Sequence, residues 1–371
     1  GTREDGITLD GQDGDDIYWL AGATIPDALL GPVAISDSGP LTDMDYLMIY
    51  GTPNADTVSF SPTTISGLPV AADVLLAYSG VEGLKIDLLE GDDDVNISGM
   101  PNGMALYLSG NAGNDTFNLS DFNVMSNYRM PLSGDDGSDT LNLDASAGTA
   151  GTLSETTLSG FSLPQPVDYG MVETINIILS SGNDTLTIDG WTSVTPLNLS
   201  VTSTAGSDTL NVINADLDLN GGDFTKGGAA TLNLPGLGIT GGDQAFVNGG
   251  TLMLNTTLAP VNGMTMAAGT TLGGNGTLGG SLTFLGTGTL TPGNANTGQV
   301  IVQGDVTFSS AAQFDISLNG IVPVTEHDKV QVTGAGRSLN LSDATLNVTL
   351  NYIPEPSDSF VILENLDPSS T

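Results

Sequence analysis

Gly110-Asn111-Ala112-Gly113-Asn114-Asp115-Thr116-Phe117 returns as Gly134-Asp135-Asp136-Gly137-Ser138-Asp139-Thr140-Leu141, and this echo decides how the chain folds. Asn183-Asp184-Thr185-Leu186 and Ser207-Asp208-Thr209-Leu210 repeat its core. Looser copies read Ala55-Asp56-Thr57-Val58, Asp93-Asp94-Val95-Asn96 and Asp15-Asp16-Ile17-Tyr18. Taking aspartates 16, 56, 94, 115, 139, 184 and 208 as markers, the gaps fall near one or two multiples of a unit of about 19 to 24 residues. A longer echo agrees: the run from Val81 (VEGLKIDLLEGDDDVNISG) matches the run from Val172 (VETINIILSSGNDTLTIDG).

After each aspartate the apolar residues alternate, as in Phe117 and Leu119, Leu141 and Leu143, Leu186 and Ile188, Leu210 and Val212. Period two means a strand with one buried face. Glycine and proline interrupt any candidate helix. Short strands, turn residues and a fixed unit predict an all-β chain, a right-handed parallel β-helix (solenoid) with about 19–24 residues per coil. At about 4.8 Å per coil, some seventeen coils would make a rod of roughly 80 Å.

The 371 residues include 50 glycines and no cysteine, and carry a formal charge of −37. The six basic residues are Arg3, Lys85, Arg129, Lys226, Lys329 and Arg337. Nucleic-acid binding, which needs clustered lysine and arginine, is excluded, and an anionic membrane is as poor a partner. A surface this acidic attracts cations, divalent ones above all. Residues 1–220 hold 32 of the 43 acidic residues, giving an acidic Asp/Gly-repeat zone, while residues 221–371 form a Gly/Thr-rich zone, read as continuous with it. The lack of cysteine fits an exported protein. No apolar run reaches membrane-spanning length, and no leader pattern precedes Gly1. The chain starts and stops in patterned material, as a piece of a longer protein would.

Two resemblances follow from quoted residues. The glycine- and aspartate-rich copies within residues 11–215 resemble the calcium repeats of the repeats-in-toxin family, although that family's nonapeptides run back to back and here one copy occurs per coil. From about Gly249 to Leu363 the chain resembles the autotransporter-associated β-strand repeats of bacterial surface proteins. The carrying residues are Gly250-Thr251-Leu252-Met253-Leu254, Thr271-Leu272-Gly273-Gly274-Asn275-Gly276-Thr277-Leu278-Gly279-Gly280, Thr289-Leu290-Thr291-Pro292-Gly293-Asn294 and Asp328-Lys329-Val330-Gln331-Val332-Thr333-Gly334. That resemblance implies a secreted or cell-surface β-helix that holds an adhesin or an enzyme away from the cell.

Stacked coils would bring carboxylates together, Asp94 with Asp115 and Asp139, and Asp184 with Asp208. Carboxylates about 5 Å apart repel by roughly 1 kcal/mol in water. Ca2+, with six to eight oxygen ligands, would bridge them. The expected ligands are Asp92, Asp93, Asp94, Asn114, Asp115, Asp135, Asp136, Asp139, Asp184 and Asp208. The bland alternative is that such residues mark turns and cap backbone amides.

No catalytic constellation is expected. A polysaccharide lyase would have Arg129 as its base, which as an isolated arginine among acids reads better as an ion pair. Glu82 and Glu173 hold equivalent repeat positions, which favours a structural role for both. His327 lacks the partners of a zinc site or triad and reads as part of a turn. Trp19, Trp191 and Tyr18 are a thin case for a sugar platform, and burial is the simpler account.

The chain is therefore expected to be an extracellular structural or adhesive module of a bacterial surface protein or filament, stabilised by Ca2+. The alternative is a polysaccharide lyase, hydrolase or glycan-binding β-helix with a groove flanked by the inserts Ser120–Pro131 or Ala145–Asp168. Expected partners are further copies stacked end to end, the rest of a larger surface protein, and glycans.

Overall fold

The computed structural model describes residues 7–21, 33–40, 44–67, 76–99, 104–120, 130–145, 148–191, 194–293 and 297–366. They contain strands and turns, and no helix long and apolar enough to cross a membrane. The chain divides into two compact units, Gly1–Ile177 and Ile178–Thr371. Each is an all-β parallel solenoid in which the chain moves from sheet to sheet and returns one rung on.

In the N-terminal unit two sheets alternate along the chain. The first places Asp94–Ile97, Thr116–Leu119 and Thr140–Ala145 side by side. The second does the same with Tyr46–Tyr50, Gly83–Asp87, Ala105–Ala112 and Met130–Asp136. All these pairs are parallel and in register: Val95 lies beside Phe117, and Phe117 beside Leu141. Leu84 beside Leu106 is a coil of 22 residues, and Leu108 beside Leu132 one of 24. The inward columns are apolar. Val58, Val95, Phe117 and Leu141 are at most 1% exposed, as are Phe60, Ile97, Leu119 and Leu143. Burying each such side chain contributes about 1.5–3 kcal/mol.

Two coils are lengthened by antiparallel excursions. Thr64–Ser66 folds back against Thr57–Phe60 in the first sheet, and Thr157–Gly160 against Ala150–Leu153 in the second. The second excursion occupies the insert expected to flank a groove between Ala145 and Asp168, which instead lies within the sheet. Both turn on the same device: Ser61 Oγ bonds Thr64 Oγ1 at 2.6 Å, and Ser154 Oγ bonds Thr157 Oγ1 at 2.7 Å. They stretch the coils concerned to 37 residues, from Tyr46 to Gly83 and from Met130 to Val167.

The C-terminal unit adds a third face. Beside the sheets carrying Phe224–Gly227 and Thr231–Leu234, a sheet of short strands starts at Leu217–Asp218 and continues through Ile239–Thr240, Thr257–Leu258 and Thr277–Leu278. It starts beside the charge boundary read at residue 220. Its coils run from 18 residues, Leu272 to Leu290, to 25, Leu199 to Phe224, with later insertions. Leu232, Leu252, Leu272 and Leu290 form one inward column of zero exposure. Phe284 and Phe308 stack at 4.9 Å.

Candidate functional site

The aspartate of each turn sits at or immediately before the start of a strand, so parallel stacking sets one above the next. Their side chains turn inward and bond the backbone of the neighbouring rung. Asp56 N–H donates to Asp93 Oδ1 at 2.7 Å, Asp93 N–H to Asp115 Oδ1 at 2.9 Å, and Asp115 N–H to Asp139 Oδ1 at 2.7 Å. Asp139 N–H closes the series on Glu173 Oε2 at 2.8 Å. A second series runs from Asp16 N–H to Asp45 Oδ1 at 2.8 Å and from Asp45 N–H to Glu82 Oε2 at 3.1 Å. Glu82 and Glu173 thus make equivalent bonds, each just after an antiparallel excursion. In the C-terminal unit Asp184 N–H donates to Asp208 Oδ1 at 2.9 Å. A charge-assisted bond of this kind contributes more than a neutral one. These carboxylates are latches between coils.

The expected ladder was one residue out of register at one rung. Asp94 lies beside Thr57 and Thr116 on the outer face, and its Oδ1 accepts Asn118 Nδ2 at 2.7 Å. Asp93 is the inward member. Asp92 and Asn114 form an outer echo of the latch: Asp92 Oδ1 accepts Asn114 N–H at 2.8 Å, and Asn114 Oδ1 accepts Ser138 N–H at 3.0 Å. Asp135 accepts Ser109 Oγ at 2.5 Å and Ser133 Oγ at 2.6 Å, while Asp136 is exposed. An asparagine ladder went unread in the sequence: Asn118, Asn142 and Asn176 each donate to the asparagine one rung below, beginning with Asn96, at 3.1, 2.7 and 2.8 Å.

The second carboxylate oxygen separates the turns into two kinds. Asp184 has both oxygens bonded by Ser180 Oγ, Asp208 Oδ2 is bonded by Ser203 Oγ, and Asp56 Oδ2 accepts Thr52 N–H at 2.7 Å. Asp16, Asp93, Asp115 and Asp139 each keep a buried Oδ2 with no hydrogen-bond donor. In these four the residue four places earlier, Gln12, Leu89, Asn111 or Asp135, has a left-handed backbone with φ of 69–76°. A Cβ added at Gly110 would overlap Asp115 Oδ2, and one at Gly134 would overlap Asp139 Oδ2, so glycine is required beside these oxygens. Burial pushes Asp93 up to about 7 and Asp139 up to about 6, with neighbouring carboxylates adding to the rise. Asp115 and Asp208 are also raised, chiefly by burial.

Among the described residues, one group of three carboxylates brings oxygens within 4.8 Å of one another: Asp16, Asp37 and Asp45. None of the ten residues expected to hold Ca2+ belongs to it. Tyr18 supports the group from within, accepting Gly11 N–H and donating to Asp37 Oδ2, both at 2.6 Å. Tyr18 is therefore buried, as is Trp191, whereas Trp19 is 62% exposed. The three do not form one platform.

Lys226, Asp328 and His327 are buried and meet the backbone. Lys226 has zero exposure, and its Nζ donates to the carbonyls of Gly228, Ala230 and Gly249 at 2.6–2.8 Å. Burial lowers it to about 8. Asp328 repeats the latch, accepting Gly298 N–H at 2.8 Å and Ser317 N–H at 2.7 Å. His327 is buried beside it, with Nδ1 3.2 Å from Gly320 O and its ring edge-on to Phe360. Arg129 and residues 121–129 of the first insert lie outside the described residues. No protein-family model matches the chain, and no curated protein matches it.

Proposed function

We propose that this chain is an extracellular structural or adhesive β-helical module of a bacterial surface protein or filament, stiffened by Ca2+. One observation carries the reading: acidic side chains are spent on latching one coil to the next, and four of them bury an oxygen that meets no donor. Buried carboxylates in such a setting need a proton or a cation. The donor set consists of hard oxygens, the ligand type that calcium takes. Asp16, Asp37 and Asp45 would hold one ion, and Asp93, Asp115 and Asp139 would contribute oxygens along the ladder. Bound calcium would offset the repulsion between stacked carboxylates and so favour the stacked state over the open chain.

The test is a melting curve of the whole chain in excess calcium and in chelator. Calcium is expected to raise the midpoint by several degrees at neutral pH. Superimposable curves would remove the ion from this account.

A further inference from the structure

The outward columns of the first sheet in the N-terminal unit are polar, built from threonine, serine, asparagine and Asp94. The second sheet of that unit turns out something different. Trp19, Met48, Lys85 and Tyr107 stand one above another in a single outward column across four parallel strands. Trp19 is 62% exposed and Tyr107 46%. Tyr50, from the adjoining column, stacks on Trp19 with ring centroids 5.8 Å apart and planes 19° apart. The ring of Tyr46 lies over Gly83, where any side chain would collide with it. Four of the chain's ten tyrosines and tryptophans therefore share this face.

Above these rings the face is not flat. Lys85, Tyr107 and Pro131 line a cavity of about 160 Å³, with Ser109 and Ser133 beside them. Its walls are mainly aromatic and apolar surface beside the Lys85 side chain, and the Ser109 and Ser133 hydroxyls donate to Asp135. Lys85 forms no ion pair among the described residues. Exposed aromatic rings leave apolar faces in water, whose burial is favourable. A partner that meets both features must be apolar on its broad face and rich in hydroxyls at its edge.

We propose that this face binds uncharged glycans, with pyranose rings laid on Trp19 and Tyr107 and hydroxyls bonded by Lys85. A pyranose offers a C–H face to an aromatic ring and hydroxyl acceptors to the three donors of an ammonium group. Charge selects the neutral members of the class: against −37 overall, Lys85 is the sole basic residue among the described residues of this unit, and Asp87 is close by on its own strand. Uronic acids and sulfated chains would be repelled. This inference rests on the adhesive part of the reading above.

The experiment is titration of the full chain, in calcium, with neutral gluco-, manno- and galacto-oligosaccharides, followed by tryptophan emission. Trp191 is buried, so a change in emission reports Trp19. At least one neutral series is expected to bind and shift the emission; by isothermal titration calorimetry, which does not need the Trp19 reporter, affinity should fall tenfold or more in Trp19→Ala and in Tyr107→Ala. Lys85→Ala, at an exposed position, provides a second variant that keeps the fold and should also bind more weakly. Unchanged melting curves in the variants tie the loss to this face. No response to any neutral series, binding that survives Trp19→Ala/Tyr107→Ala, or binding confined to acidic glycans would each overturn the proposal. A melting curve indifferent to chelator would refute the calcium reading and leave this result standing, so the two fail separately.

Discussion

Replacing Asp93 by asparagine tests whether buried charge limits this fold in the absence of a cation. Asparagine keeps the carbonyl that accepts Asp56 N–H, removes the charge and puts an NH2 group in place of the buried Oδ2. Burial raises the Asp93 carboxyl from its ordinary 3.8 to about 7. A carboxyl with a raised folded-state pKa binds its proton more tightly in the native protein than in the open chain. Stability is therefore complete below about pH 4, falls as pH rises toward 7, and stays low above it. At 1.36 kcal/mol per pKa unit, the three units separating the two states set a ceiling of about 4 kcal/mol, which solvent screening lowers.

Asp93→Asn should remove the share of that slope due to Asp93 and leave the shares of Asp115, Asp139 and Asp208, whose carboxyls are also raised. In chelator at pH 8 the variant should be more stable than the parent by up to about 4 kcal/mol, whereas at pH 4 it should be equal or slightly weaker. Urea unfolding at the two pH values, followed by circular dichroism, gives the comparison directly. With calcium added at pH 8 the advantage should shrink or reverse, because the ion stabilises only the carboxylate form. A parent protein that gains stability between pH 4 and 7 in chelator, or a variant that is weaker at pH 8 in chelator, would refute the reasoning.

Three further outcomes are expected. Ser203→Gly removes the hydroxyl on Asp208 Oδ2, leaving that oxygen like those of Asp93, Asp115 and Asp139; it should cost about 1–3 kcal/mol by urea unfolding and make stability more responsive to calcium. Lys226→Met strips the donor from three buried carbonyls and should cost about 3 kcal/mol or more, measured in the same way. Phe117→Ala opens a cavity in a column of zero exposure and should cost about 3–5 kcal/mol, read as a lower melting temperature.

Much of the architecture was legible because parallel stacking repeats the same chemistry at the same place. The alternation after each aspartate marked the strands, and the equivalence of Glu82 and Glu173 emerged from the long echo alone. The slip from Asp93 to Asp94 came from the run Asp92-Asp93-Asp94, where three carboxylates in a row leave the phase open. The neighbouring copies resolve it, since threonine follows the inward aspartate and Asp94 takes the threonine's place beside Thr116.

Other features had weak signals. Phe224-Thr225-Lys226 places the lysine on the inward phase, but only the converging carbonyls explain why a cation is tolerated there. The third sheet was invisible because strands as short as Leu217–Asp218 and Ile239–Thr240 carry no periodicity. Trp19 and Tyr18 differ in exposure solely through alternation, and no sequence feature shows that Tyr50 lies against Trp19. The grouping of Asp16, Asp37 and Asp45 likewise depends on coil lengths set by insertions.

The account stands on rungs that lie directly over one another with Asn118 beside Asn142. The chain has no cysteine, so paired Asn118→Cys and Asn142→Cys substitutions can be cross-linked without background. Parallel neighbours about 4.8 Å apart, with side chains on one face, fall within disulfide reach. Mild oxidation should close this pair nearly completely in the folded protein, while Asn118→Cys with Leu143→Cys, one outward and one inward, should stay reduced. The reverse pattern, or no cross-link in either, would contradict the stacking on which the latches, the calcium reading and the glycan face all depend.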